Sequence, residues 1–184
     1  MKTDRFTRLG LLLALLVSCV GCDQVTKSIA ARRLAPLSRQ SFLGDTVRLE
    51  YALNPGAFLG MGGGLSSGAR FWGLTVINGA IRAVLAYVLV TRRDLAPGNF
   101  AAWALILAGG IGNLIDRASQ GGLVTDFLNV GIGPVRTGIF NVADIAVTGG
   151  FVLFVVVWWR DERLTKRNRD VEEPGHLPRP RAST

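Results

Sequence analysis

Two aspartates in the last third of the chain have the residue type and the setting for chemistry. Asp126 lies in the segment 124–127 (VTDF), and Asp144 immediately precedes an uncharged apolar run, 145–159. An ionised carboxylate inside a membrane helix is costly, so Asp144 is a candidate functional residue. The alternative is that Asp144 serves only as an ion-pair partner within a helix bundle. The presence of a second carboxylate favours the functional interpretation.

Two aspartates that approach closely in a poorly solvated place share a proton, because two like charges repel there. The ionised carboxylate can take a proton from a bound water while the neutral one polarises a peptide carbonyl, which is general acid–base hydrolysis. We expect no metal and no cofactor, since the single histidine, His176, lies in a polar tail and cannot build a triad or a multi-histidine site. A proton-coupled transporter with the same acids as a relay is the alternative from another class.

The composition indicates an integral membrane protein. The 184 residues are 49% hydrophobic and include 23 glycines, which is too apolar for an ordinary soluble domain. The net charge of +8 comes from basic residues clustered beside apolar runs, a pattern typical of orientation in a bilayer. We therefore expect membrane lipid, and no nucleic acid, as a partner. Cys19 and Cys22 are interpreted as packing residues.

Four apolar segments are predicted to be transmembrane helices, because about 20 residues of helix match the hydrocarbon thickness. They are approximately 9–31, 71–90, 99–116 and 139–159. The first also has the outline of a signal peptide, and residues 16–19 (LVSC) resemble a lipobox cut before Cys19. The three further apolar runs favour an uncleaved helix. The mass of the purified protein distinguishes the two.

Residues 34–70 differ in character from the apolar runs, with prolines, many glycines and the alternating stretch 46–51 (TVRLEY). Alternation predicts short strands, so this region is interpreted as a small platform outside the membrane. The segments 54–58 (NPGAF) and 60–64 (GMGGG) predict a turn and a flexible flap. Residues 161–184 are predicted to be a charged cytoplasmic tail, disordered beyond its first turns.

The third span ends in the stretch 109–117 (GGIGNLIDR). Its glycines are interpreted as a close helix contact and not as a dinucleotide loop, because no βαβ unit surrounds them. Asp116 and Arg117 follow Asn113 by three and four residues, so both lie on the same helix face as Asn113. That face should point at the loop that bears Asp126. Arg117 would either pair with Asp116 or steady the loop.

Further charges lie in or beside the first two spans. Asp23 and Lys27 are four residues apart and share a helix face, either as an interfacial ion pair or as the outer wall of a polar site. Arg82 interrupts the second span, where its side chain would either snorkel or pair with an acid inside the bundle.

The distribution of Lys and Arg predicts the orientation in the membrane. The N-terminus, the hairpin 91–99 and the tail hold twelve of them, whereas 23–70 and 116–138 hold eight over a greater length. Basic residues concentrate on the cytoplasmic side, so both termini should be cytoplasmic. Asp126 and Asp144 then lie together near the periplasmic face.

Five ordered motifs resemble those of the lipoprotein signal peptidase (signal peptidase II) family. They are 23–27 (DQVTK), 54–58 (NPGAF), 109–117 (GGIGNLIDR), 124–127 (VTDF) and 140–144 (FNVAD). The resemblance covers about 11–159. It implies an all-α membrane protein of the bacterial inner membrane, with four transmembrane helices and a small periplasmic β-platform and flap. These would form a single peptidase domain over residues 1–160.

The resemblance also implies an activity, that of an aspartic endopeptidase that cuts diacylglyceryl-modified prolipoproteins before the lipidated lipobox cysteine. By resemblance, Asp126 and Asp144 would be the catalytic pair. The supporting residues implied are Asp23, Asn54, Gly56, Asn113, Arg117 and Asn141. Inhibition by globomycin is expected by resemblance, and we expect a monomer. The sequence departs from the family at Phe58, which comes one place early, and this bears on the contacts that the flap makes with substrate.

Overall fold

The computed structural model describes residues 4–35, 39–56, 64 and 66–172. Phe58 and most of the predicted flap fall outside these residues. Along the chain the elements are α1 (Arg5–Arg33), β1 (Gln40–Phe42), β2 (Val47–Asn54), α2 (Ser67–Arg70), a π-helical segment (Phe71–Ile77), α3 (Asn78–Thr91), α4 (Pro97–Ser119), β3 (Val124–Ile132), β4 (Val135–Arg136) and α5 (Val142–Glu172). Four helical stretches in this part of the chain are long and apolar enough to cross a membrane: Arg5–Arg33, Phe71–Thr91, Pro97–Ser119 and Val142–Arg167. The predicted four-helix membrane fold with a small sheet is confirmed.

The last span begins later than its apolar run predicted. Phe140 pairs with Leu128 of β3 through an isolated bridge, so the chain is still extended at that point and α5 starts at Val142. At its other end α5 continues through Glu172, so the first turns of the charged tail are helical. The extension carries an exposed ion pair, with Lys166 Nζ 2.8 Å from Glu162 Oε1, at the spacing that supports an exposed helix.

The extramembrane platform is a four-stranded antiparallel sheet in the order β1-β2-β3-β4. The sequence analysis predicted strands only within residues 34–70 and placed Asp126 in a loop. The prediction for Asp126 was wrong, because Asp126 lies within β3. In the register of β2 and β3, Ala52 is opposite Asp126 and Asn54 is opposite Val124. Asn54 and Asp126 are therefore diagonal neighbours, which places their side chains on the same face of the sheet.

Helix α4 is the centre of the bundle and packs against α1, α3 and α5. Its contact with α5 needs residues without a side chain. A Cβ on Gly109 would lie 2.2 Å from the carbonyl oxygen of Ala143, and a Cβ on Gly112 would lie 2.5 Å from Oδ2 of Asp23. The predicted role of the glycine stretch in close helix packing is confirmed.

Candidate active site

Asp126 is held by two side-chain amides. Asn141 donates through Nδ2 to Oδ1 of Asp126 at 2.6 Å, and Asn54 donates through Nδ2 to Oδ2 at 2.8 Å. The residue is 2% exposed. Burial and, to a smaller extent, the nearby charge of Asp144 raise the pKa of Asp126 to about 6, against the opposing effect of the Asn54 hydrogen bond. A carboxyl group with such a pKa can be either protonated or ionised at neutral pH.

Asp144 lies in the first turn of α5, where it forms a reciprocal cap with Asn141. The backbone N–H of Asn141 donates to Oδ2 of Asp144 at 3.2 Å, and the N–H of Asp144 donates to Oδ1 of Asn141 at 3.0 Å. This is the capping-box arrangement, which satisfies backbone donors that the first turn of a helix leaves free. The sequence NVAD at 141–144 thus both starts helix α5 and holds the carboxyl group of Asp144 in place.

Two asparagines connect the two carboxyl groups. Asn141 is fully buried and contacts both Asp126 and Asp144, as described above. It also donates through Nδ2 to Oδ1 of Asn113 at 3.0 Å, and Asn113 in turn donates through Nδ2 to Oδ1 of Asp144 at 2.9 Å. The carboxyl groups of a strand and a helix are therefore brought to the same buried site by amide side chains.

Arg117 connects the site to the segment that follows β2. It donates through Nη2 to the carbonyl oxygen of Gly56 at 2.9 Å and through Nη1 to that of Asn113 at 3.4 Å. Gly56 in turn donates its N–H to Oδ1 of Asn54 at 2.8 Å. Two roles were left open for Arg117, to pair with Asp116 or to steady the loop that bears Asp126. Among the described residues its hydrogen bonds instead hold the segment after β2, and Asp116 pairs with Lys27.

Seven of the eight predicted site residues form one closed ring of hydrogen bonds. The ring passes in order through Asp126, Asn54, Gly56, Arg117, Asn113, Asp144 and Asn141. The eighth, Asp23, accepts from the N–H of Ala143 at 2.8 Å and so caps the same helix start. The structure thus brings all eight together, from five separate segments of the chain.

A buried ion-pair network lies beside this ring. Nζ of Lys27 is 2.8 Å from Asp23 Oδ2, 3.1 Å from Asp116 Oδ2 and 2.9 Å from Asn113 Oδ1. The side chain of Lys27 is 4% exposed. The other oxygen of Asp116 accepts from Gln24 Nε2 at 2.9 Å. Lys27 therefore connects α1 to α4 beside the candidate site.

Asp116 also ties the sheet to the helices, because its Oδ2 accepts from the N–H of Thr125 in β3 at 2.9 Å. Sequence reasoning did not include Lys27, Asp116 or Gln24 among the site residues. The four-residue spacing of Asp23 and Lys27 was the available signal, and both of its interpretations are present: the pair is an ion pair and it is a wall of the site.

A cavity of about 400 Å³ opens beside Asp144 between α3, α4 and α5. Polar and apolar side chains both line it; the lining is Leu74, Asn78, Arg82, Asn113, Arg117, Asp144, Val147, Thr148 and Phe151. Among the described residues, no three His, Cys, Asp or Glu side chains are grouped so that they could hold a metal ion. The arrangement suits acid–base chemistry on a molecule that enters from the bilayer.

The fold and this site define a multi-pass membrane protein with a buried polar centre at one end of its bundle. The sequence profile of the family described as signal peptidase (SPase) II matches residues 15–160. The chain belongs to the signal peptidase II family, and it is accordingly a bacterial membrane protease. The transporter alternative is not supported.

Individual relatives agree with this assignment. The chain is 37% identical over 155 residues to a lipoprotein signal peptidase of Mycobacterium avium (strain 104), covering 82% of this chain and 79% of the relative. It is also 37% identical to that of Sphingopyxis alaskensis, covering 82% and 84%. A bacterial membrane enzyme solved by the in meso method at 2.3 Å resolution is similar in fold, with a TM-score of 0.70 and 28% identity over 83% of this chain and 90% of that one.

Proposed function

We propose that this protein is an aspartic endopeptidase in which Asp126 and Asp144 are the catalytic pair. The observation that carries the proposal is that one buried residue, Asn141, hydrogen-bonds both carboxyl groups, at 2.6 Å to Asp126 and at 3.2 Å to Asp144. Two carboxyl groups held in this way in a poorly solvated place share a proton, because both cannot ionise at low cost.

The reaction proceeds by general acid–base catalysis without a covalent intermediate. The ionised aspartate takes a proton from a water molecule, whose oxygen forms a bond to the carbonyl carbon of the scissile peptide. The neutral aspartate gives its proton to the carbonyl oxygen. As the tetrahedral intermediate collapses, the aspartate that took the proton from water donates it to the leaving nitrogen, and the other aspartate takes back a proton from a hydroxyl group as the C–N bond breaks. The pair thereby returns to its one-proton state. This chemistry needs only the two carboxyl groups and water.

The substrate in this proposal is a diacylglyceryl-modified prolipoprotein, cut before its lipidated cysteine. Family membership supports this choice. The cavity beside Asp144 supports it as well, because Leu74, Val147 and Phe151 give it an apolar wall next to the carboxyl group. An apolar wall suits lipid chains or an apolar peptide segment, both of which favour leaving water.

The proposed location is the bacterial inner membrane, with both termini cytoplasmic and the site near the periplasmic face. The distribution of Lys and Arg supports this orientation. Trp158 and Trp159 lie far along α5 from Asp144 and are exposed, as expected of residues at the opposite membrane surface. The enzyme would act as a monomer among membrane lipids, and globomycin would inhibit it.

The test is the conversion of a diacylglyceryl-prolipoprotein by purified enzyme in detergent or proteoliposomes. Asp126→Asn and Asp144→Asn should each abolish conversion, because either change leaves only one titratable carboxyl group. Asp161→Asn is the matched control, since Asp161 is an exposed aspartate of the same helix α5 and its loss should leave the rate unchanged.

Each variant is also melted by heat to confirm that it is folded. Normal turnover by a folded Asp126→Asn or Asp144→Asn protein would reject the assignment. Globomycin should stop the wild-type reaction, and mass spectrometry of the product identifies the new N-terminus as the lipidated cysteine.

A further inference from the structure

Arg82 is a cation inside a membrane span that the chemistry above does not use. It lies on α3, where its Nη1 donates to the side-chain oxygen of Asn78 at 2.8 Å and to the carbonyl oxygen of Asn78 at 3.0 Å. Both acceptors are uncharged and belong to the preceding turn of the same helix. The sequence left open whether Arg82 snorkels or pairs with an acid, and among the described residues the structure shows no acid paired with it.

The charge of Arg82 has no counter-ion in the described part of the chain, where every ion pair involves other residues. In the same residues its buried Nε has no hydrogen-bond acceptor. A buried donor without an acceptor is costly, and an unpaired cation at membrane depth is more so. Such a cost is usually found where a ligand completes the site.

The guanidinium of Arg82 packs closely against the backbone of α4 at Gly110. A Cβ on Gly110 would lie 2.0 Å from Nε and 2.7 Å from Cζ of Arg82. Any larger residue at Gly110 would therefore displace the side chain. The guanidinium and Asp144 both line the 400 Å³ cavity, so whatever fills the cavity beside Asp144 also meets Arg82.

The cavity runs from the site into the membrane-spanning part of the bundle. Arg82 contacts α4 at Gly110, which precedes Asn113 by three residues. Along the axis of α4 this contact therefore lies about 4.5 Å further from the sheet than Asn113 does. On α5 the lining continues from Asp144 to Phe151, a distance of about 10 Å along the helix axis. The cavity therefore extends from the carboxyl groups toward the middle of the bilayer.

We propose that Arg82 is a substrate-positioning residue, whose guanidinium donates to carbonyl oxygens of the bound prolipoprotein. The inference rests on the proposed function. A signal peptide that enters from the cytoplasmic side has its residues before the scissile bond deeper in the membrane than the bond itself. Those residues would lie along the cavity, at the depth of Arg82.

Carbonyl oxygens are the acceptors that such a substrate offers in an apolar cavity. Near the scissile bond the peptide must leave the helical conformation to reach the aspartates, which frees carbonyl groups in a place without water to solvate them. The ester carbonyls of the diacylglyceryl group are the second source of the same chemistry. A guanidinium has five donors and no acceptor, so it suits either.

The test compares two variants that remove the same contact by different means. Arg82→Gln deletes the charge, and Gly110→Ala displaces the intact side chain. Gly149→Ala is the control, because a Cβ there meets nothing within 4 Å. Binding of a diacylglyceryl-prolipoprotein is measured in the Asp126→Asn background, which leaves the substrate uncleaved, and kcat and KM are measured in the otherwise wild-type enzyme.

We expect Arg82→Gln and Gly110→Ala to raise Kd and KM by about tenfold or more, the effect of one hydrogen bond to a charged group, with a much smaller change in kcat. A second substrate with ether-linked chains separates the two carbonyl sources. If the loss persists with the ether substrate, the acceptors are peptide carbonyls; if it disappears, they are the ester carbonyls.

Wild-type Kd and KM in both variants would overturn the proposal, while leaving the assignment of Asp126 and Asp144 intact. A purely structural role for Arg82 predicts a lower melting temperature without a change in Kd of the folded protein, and that result would also reject it. Cleavage by the Asp126→Asn enzyme would instead reject the proposed function itself.

Discussion

Nζ of Lys27 lies 2.9 Å from Oδ1 of Asn113. Because an ammonium group can only donate, this contact determines which end of the Asn113 amide is the oxygen. The amide nitrogen must then face the other way, where it donates to Oδ1 of Asp144 at 2.9 Å. Lys27 thus orients a hydrogen bond to Asp144 without touching that carboxyl group.

Replacement of Asn113 by Ala should lower kcat by about 10- to 100-fold, because it removes a hydrogen bond to a charged group and leaves Asp144 less firmly placed. The measurement is prolipoprotein turnover at saturating substrate. Ile115→Ala is the control, since Ile115 lies on the same helix and is 40% exposed. Equal rates for Asn113→Ala and wild type would contradict the positioning role.

Replacement of Lys27 by Met should destabilise the protein by about 3–5 kcal/mol, because it leaves Asp23 and Asp116 as buried charges without their cation. Thermal unfolding in detergent measures the change. Lys166→Met removes an exposed lysine whose side chain is 65% accessible and should have almost no effect.

A double variant, Lys27→Met with Asp116→Asn, tests the cause. Removal of one of the two stranded carboxylates should restore part of the lost stability. If the addition of Asp116→Asn instead lowers the free energy of unfolding of the Lys27→Met protein further, as an independent buried substitution would, the ion-pair explanation fails.

The pH dependence of turnover should have an alkaline limb near pH 6. Burial and the charge of Asp144 raise the pKa of Asp126 to about 6, so below that pH Asp126 holds the shared proton, and above it both carboxyl groups are ionised and no acid is left to protonate the carbonyl oxygen. The rate should then fall tenfold for each further pH unit. The midpoint belongs to the coupled pair and not to one residue alone.

Asn54→Ala should move this limb to higher pH. The hydrogen bond from Asn54 stabilises the ionised form of Asp126 and so lowers its pKa; without that bond the pKa rises and Asp126 keeps its proton to higher pH. Comparison of the two kcat profiles is the measurement. A limb that stays in place or shifts to lower pH would show that the limb reports another group.

Gly109→Ala should reduce both stability and turnover. The new Cβ would lie 2.2 Å from the carbonyl oxygen of Ala143, so α5 must move away from α4 at the residue next to Asp144. Gly149→Ala has open space around its Cβ and should gain a few tenths of a kcal/mol up to about 1 kcal/mol from helix propensity. Melting temperature and kcat are measured for both.

The sequence predicted the four spans, the acid pair and the residues around it, because long apolar runs and ordered motifs are local signals. It did not predict that Asp126 lies in a strand. Residues 124–127 are all buried, and their sequence VTDF lacks the alternation of apolar and polar residue types that identified β2.

The partners of Lys27 and Arg82 could not be predicted for a different reason. The acids and amides that meet Lys27 come from α4 as well as from its own helix, and residue spacing does not determine how two helices are rotated against each other. For Arg82 the sequence left open whether it snorkels or pairs with an acid, and did not identify its acceptor Asn78, four residues earlier on its own helix, although the sequence contains that spacing.

The first turn of α5 has a consequence for biosynthesis. Its backbone donors are capped by Asn141 and by Asp23, and the latter belongs to the first span. The two carboxyl groups therefore meet only after the final transmembrane segment has been made and has returned to the first. By the mechanism proposed above, a chain whose final span is not yet in place has no pair of aspartates and cannot cleave a peptide bond.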